Sequence, residues 1–102
     1  MSTISDSQDK TTVATGDIYA LARHYRFQWE DAQQCYVLLF PEGMIKLNGG
    51  AGEVIKRVDG QRTVGEIVSD TQQAFPDVAD LESDIIAMLD LAIEKAWLEK
   101  RN

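Results

Sequence analysis

The chain has 102 residues, 44% of them hydrophobic and 26% charged, which is material for one small domain with one core. Seventeen Asp and Glu against ten Lys and Arg leave a formal charge of −7, so no general affinity for nucleic-acid phosphates or an anionic membrane surface is expected. No apolar run nears the ~20 residues of a membrane span, no signal region opens the chain, and a single Cys35 and a single His24 exclude an internal disulfide and the usual His/Cys metal cluster.

Residues 1–17 are rich in Ser, Thr, Asp and Gln and show no sustained period, the composition of a segment that cannot bury enough apolar surface to order itself. In 18–25, Ile18, Leu21, Ala22 and Tyr25 suit a short docking helix, and an extended arm is equally compatible. Residues 1–25 are therefore read as a flexible N-terminal arm and 26–102 as the ordered domain. Arg26–Glu30 alternates Phe27 and Trp29 with polar residues, the period of a half-buried strand. A connection at 31–34 leads into Cys35–Phe40, six continuous apolar residues that read as a central strand covered on both faces. After the turn Pro41-Glu42-Gly43, residues 44–47 form a third short strand, with Ile45 and Leu47 on one face and Met44 and Lys46 on the other.

The period then changes from 2 to 3.6. Asn48 caps a first helix whose apolar face is Ala51, Val54, Ile55 and Val58 and which is expected to end at Asp59-Gly60. Thr63 and Glu66 have the spacing of a capping box for a second helix carrying Val64, Ile67, Val68, Thr71 and Phe75. Pro76-Asp77 is read as ending it and starting a third, with a stripe of Val78, Leu81, Ile85, Met88, Leu89 and Ala92, and Trp97-Leu98 as a closing apolar pair. The fold class is α+β and winged-helix-like: a three-stranded antiparallel sheet followed by a three-helix bundle.

Catalysis finds little support. There is no Ser-His-Asp set, no CxxC pair, and no GK[ST] after Gly49-Gly50-Ala51-Gly52, where Glu53 would repel a phosphate. A winged-helix DNA-binding regulator is the alternative that the architecture invites. Its third helix would bring Asp80, Glu82, Asp84, Asp90 and Glu94 to a groove that needs Lys and Arg, which weighs against it. The reading that the residues favour is peptide recognition. The third strand is a short edge whose free N–H and C=O groups can pair with an extended segment, next to a groove lined by Met44, Leu81, Ile85 and Met88. On this reading proline at Ile45 removes peptide binding and leaves the helices folded.

The run YVLLFPEGMIKLN at 36–48, the AGEVI that opens the first helix, DGQRTV at 59–64 and KAWL at 95–98 resemble the PqqD family of pyrroloquinoline quinone (PQQ) biosynthesis proteins. The resemblance covers 26–102, and departs from the family pattern at Lys95-Ala96, where a glycine next to the tryptophan is expected. It implies a non-catalytic peptide chaperone, while the lack of a span, a signal region or a metal-ligand cluster leads to the expectation of a cytoplasmic protein without metal or cofactor. Such a protein binds the precursor peptide PqqA and presents it to the radical-SAM enzyme PqqE. As a RiPP recognition element it would hold the peptide as an added strand along Met44, Ile45, Lys46 and Leu47, against a helix wall of Leu81, Asp84, Ile85 and Met88. Neither nucleic acid nor membrane is an expected partner, and the open edge and arm permit a homodimer.

Overall fold

A computed structural model describes residues 13–102. Strands β2 (Arg26–Glu30), β3 (Cys35–Phe40) and β4 (Gly43–Lys46) form an antiparallel meander in that spatial order. Three helices follow: α1 (Gly49–Lys56), α2 (Val64–Ala74) and α3 (Leu81–Glu94). The chain is thus α+β, sheet first and helices after.

Local chemistry explains most of these boundaries. Asn48 caps α1 by accepting the Ala51 N–H on its side-chain oxygen at 2.7 Å. At the start of α2, Thr63 accepts the Glu66 N–H and the Glu66 carboxylate accepts the Thr63 N–H, a complete capping box. α1 stops at Lys56, short of the expected Asp59-Gly60. Its last turn tightens, with Arg57 and Val58 N–H groups bonded three residues back, and the Asp59 carboxylate then draws in the Gln61 and Arg62 N–H groups. Gly60 completes this reversal at φ 81°, where a side chain would be strained.

The third helix also begins later than its apolar stripe suggests. Residues 75–80 form a connection rather than a first turn, and Asp80 enters α3 in the left-handed region at φ 56°. Phe75 and Val78 consequently lie on the surface, at 38% and 49% exposure. Only Glu82 and Asp84 of the acidic run stand in the first turn, where the helix dipole favours negative charge.

The largest departure from the sequence reading is at the N-terminal side. Tyr19–Leu21 form β1, which pairs antiparallel with β5 (Leu98–Lys100), and Ala22 donates its N–H to the Trp97 carbonyl at 2.8 Å. Val13, Tyr19 and Ala22 are buried. Part of the segment expected to be an arm thus pairs with and packs against the body, and residues 1–12 of that expectation lie outside the described residues. Of the two conformations considered for 18–25, the extended one is adopted at Tyr19–Leu21 and the docking helix is not, because the pairing partner comes from the other end of the chain, where no local period signals it. Burial and the hydrogen bond to the Asp17 carboxylate push the Tyr19 phenol up to about 12.

The core joins the inner face of the sheet to all three helices through Leu38, Val54, Ile55, Ile67, Ile85, Leu89 and Trp97. α3 closes with two hydrogen bonds, Trp97 N–H to Ala92 carbonyl and Ala96 N–H to Ile93 carbonyl, the pair that defines a Schellman motif. Ala96 holds its left-handed position at φ 63°, a conformation that costs an L-residue roughly 1–2 kcal/mol. The expected glycine is the residue this position favours. Ala96→Gly should raise stability by about 0.5–1 kcal/mol once the greater freedom of glycine in the unfolded chain is subtracted. A thermal melt should show an increase of a few degrees.

Candidate functional site

β4 is the outer strand of the meander, hydrogen-bonded on one side only among the described residues. Its register with β3 sets Lys46 opposite Val37, Ile45 opposite Leu38 and Met44 opposite Leu39. Just beyond the strand the Leu47 N–H reaches the Tyr36 carbonyl at 2.9 Å. Bonded and non-bonded pairs alternate along an antiparallel ladder, so Gly43, Ile45 and Leu47 direct their N–H and C=O groups toward β3. Met44 and Lys46 direct theirs outward, to the open edge. That orientation corrects the expectation for proline at Ile45: it would break a bond within the sheet instead of one to an added strand.

The side chains divide the same four residues differently. Leu47 is a core residue at 5% exposure and Ile45 packs against the core, whereas Met44 is 42% exposed and Lys46 lies fully on the surface side. Ile45 and Leu47 thus anchor the strand that Met44 and Lys46 present.

Beyond Leu47 the chain enters an apolar groove of about 680 Å³. Asn48, Gly50 and Val54 from the start of α1 form one wall, Leu81, Asp84, Ile85 and Met88 of α3 form the other, and Thr71 and Phe75 close the end toward α2. All four residues expected on the helix wall are present. Met44 is not part of the lining, and the wall expected from the strand is supplied by α1. Ile85 forms the floor at 1% exposure, and Leu81 and Met88 are half-buried above it. A Cβ on Gly49 would meet nothing within 4 Å and one on Gly50 only the Asn48 side chain at 3.6 Å, so this end of the groove has open space beside it.

Sequence reasoning missed Phe75, Val78 and Leu91, which enlarge the apolar lining. Their signal was present as apolar residues at helical spacing, but a helical stripe does not distinguish a buried flank from an open one. Charge at the groove is acidic. Asp84 is exposed on the rim, and Glu53 is engaged by Arg57 at 2.8 Å, which also holds Asp70 at 2.7 Å. Glu53 foremost, and then Asp70, hold the Arg57 guanidinium in its charged form.

The chain is similar to known proteins. The family model of coenzyme PQQ synthesis protein D (PqqD) matches residues 35–98, which include β3, β4, every helix and therefore both parts of the site. The chain belongs to the PqqD family. A PqqA binding protein of Stutzerimonas stutzeri is 54% identical over 79 residues, 78% of this chain and 86% of that protein. The PqqA binding protein of Klebsiella pneumoniae is 40% identical over 84 residues, 82% of this chain and 91% of that protein. The solution structure of the PqqD truncation of Methylobacterium extorquens PqqCD, described as a functional and stand-alone RiPP recognition element, superposes with a TM-score of 0.72. It is 33% identical, over 89% of this chain and 98% of that one. Within the family, the AGEVI segment that opens α1 acquires a physical role: a Cβ on Gly52 would stand 2.8 Å from a Tyr36 ring carbon, so glycine there lets the helix approach the sheet.

Proposed function

We propose that this PqqD-family chain is a non-catalytic peptide chaperone of PQQ biosynthesis, which binds the precursor peptide PqqA as an added strand on β4 and presents it to the radical-SAM enzyme PqqE. The observation that carries the reading is the outward-facing backbone of Met44 and Lys46 on an edge strand that ends shortly before Asn48, the first residue lining the apolar groove. The naming of relatives about half identical to it as PqqA binding proteins supports the choice of ligand.

The energetics require both parts. The two outward residues supply two donors and two acceptors, and four backbone hydrogen bonds at a net ~0.5–1.5 kcal/mol each amount to roughly 2–6 kcal/mol. Micromolar binding corresponds to about 8 kcal/mol. Apolar side chains of the ligand, alternating toward the helices, supply the difference in the groove at about 25 cal/mol per Å² removed from water. Met44, Ile45, Lys46 and Leu47 then act as the pairing strand, Ile45 and Leu47 by holding it in place, while Leu81, Asp84, Ile85 and Met88 receive the ligand's inward side chains. Presentation to PqqE is compatible with such binding, because a peptide held extended on an edge exposes its other face to a second protein and is carried at a raised effective concentration.

Titration of the full chain with PqqA, followed by amide chemical shifts, tests the reading. Saturable changes should concentrate at 43–48 and along the groove face of α3. Perturbations centred elsewhere, or no saturation at millimolar peptide, would overturn it.

A further inference from the structure

The turn between β1 and β2 reverses the charge of the rest of the chain. From Ile18 to Trp29 there is no Asp or Glu, although the protein carries 17 of them, and the stretch holds Arg23, His24 and Arg26. All three side chains are exposed. Arg23 and Arg26, like Lys46, Lys95 and Arg101, have no carboxylate within 4.0 Å among the described residues, whereas Lys56, Arg57, Arg62 and Lys100 each have one. The three cationic or titratable groups surround a concavity of about 380 Å³ whose apolar floor is Leu39, Phe40 and Pro41.

The turn is braced. Tyr25 donates its N–H to the Ala22 carbonyl at 3.0 Å, and Ala22 is tied in turn to Trp97. The Tyr25 ring lies 5.5 Å from Phe40 and 4.5 Å from the His24 ring. Two guanidinium groups projecting from a fixed turn lose less freedom on meeting a partner than they would from a loose one. None of the residues around this concavity lines the groove. The two regions are nevertheless neighbours, because Arg26, Leu39 and Met44 lie in one row across the sheet. Adjacent strands are ~4.8 Å apart, so Arg26 is about 10 Å from the edge residue Met44.

We infer that the Arg23-His24-Arg26 turn is a second docking surface, for an acidic patch on a partner protein that engages the carrier while its β4 edge is occupied. Resting on the presentation role, the inference makes that partner the processing enzyme. A carrier must leave its cargo site free while it docks, and a surface beside the edge satisfies this where one over the groove would not. Guanidinium groups over an apolar floor suit paired carboxylates flanked by apolar side chains. The net charge of −7 disfavours a nucleic acid as the occupant.

The test compares the full chain with Arg23→Glu/Arg26→Glu and with the milder Arg23→Gln/Arg26→Gln, each measured separately for PqqA affinity and for binding to PqqE. The expected result is a PqqA affinity unchanged within about twofold, PqqE binding weakened at least about tenfold by charge reversal and less by neutralisation, and parental PqqE binding that falls as salt is raised. If both variants bind PqqE as the parent does, the docking inference is overturned and the presentation role survives. If the parent binds PqqA but not PqqE, the presentation role falls and the inference with it. Loss of PqqA binding in a folded variant would show that the turn belongs to the cargo site, and a low-salt shift of duplex DNA by the parent would reassign the patch to nucleic acid.

Discussion

Met44→Pro/Lys46→Pro should weaken PqqA binding by tens to more than a hundredfold while leaving the domain folded. Each proline removes an outward N–H and sets a ring against the incoming strand, and two donors at a net ~0.5–1.5 kcal/mol each give ~1–3 kcal/mol before steric exclusion is counted. The native sheet tolerates the change because neither N–H is used by β3, and edge strands accept proline where the missing donor faces solvent. Ile45→Pro is the contrasting variant. It breaks the ladder to Leu38 and should appear as a stability loss in urea denaturation. Calorimetric titration checks the double variant, with circular dichroism for its fold. A folded double variant that binds PqqA as tightly as the parent would refute strand addition at β4. Backbone N-methylation of the peptide provides the reciprocal measurement, costing affinity only at alternate residues, those whose N–H faces the strand.

Leu89→Ala should cost about 2–5 kcal/mol of stability, the range for emptying a fully buried leucine site. Leu89 is 0% exposed, in the same core cluster as Ile85 and Ala92. For a domain of this size such a loss lowers the melting temperature by roughly 10 °C or more. One residue earlier, Met88 stands half-buried at the groove, and its truncation should change stability by less than about 1 kcal/mol while weakening PqqA binding. Saturating peptide stabilises whichever variant binds it, by RT ln(1 + [L]/Kd), so Leu89→Ala should recover more of its lost stability with PqqA than the parent-like Met88→Ala gains. Thermal denaturation with and without peptide checks both. A Leu89→Ala loss below 1 kcal/mol would contradict the division of α3 into a core face and a groove face.

That division shows how far a linear reading reaches. Leu81, Asp84, Ile85 and Met88 were legible as a helix face, and they meet at the groove. Asn48, Thr63 and Glu66 were legible as caps because a cap is a contact between residues three apart. Two other features were not. Phe75 and Val78 continue the apolar spacing of their helices, but Asp80 at φ 56° redirects the chain between them and α3, so the stripe is interrupted where periodicity suggests it runs on. The inward and outward alternation along β4 was likewise hidden, since Met44 and Ile45 differ in side-chain face by pattern but in backbone orientation only through the register with β3.

Composition and pattern alone thus determined a small acidic α+β domain with its sheet before its helices, an open strand at 44–47, an acidic third helix unsuited to DNA, and the family resemblance carried by 36–48. Each of these rests on residues close together in the chain, where hydrogen bonds, caps and period 2 or 3.6 act locally. The tertiary structure alone decided that β1 closes against β5, nearly eighty residues away, that α1 rather than Met44 walls the groove, and that Arg23, His24 and Arg26 gather over Leu39 and Phe40. The reason is the same in every case: a strand edge, a groove wall or a charged patch is formed by surfaces from separate elements, and which surfaces meet is set when the common core is buried, not by any one segment.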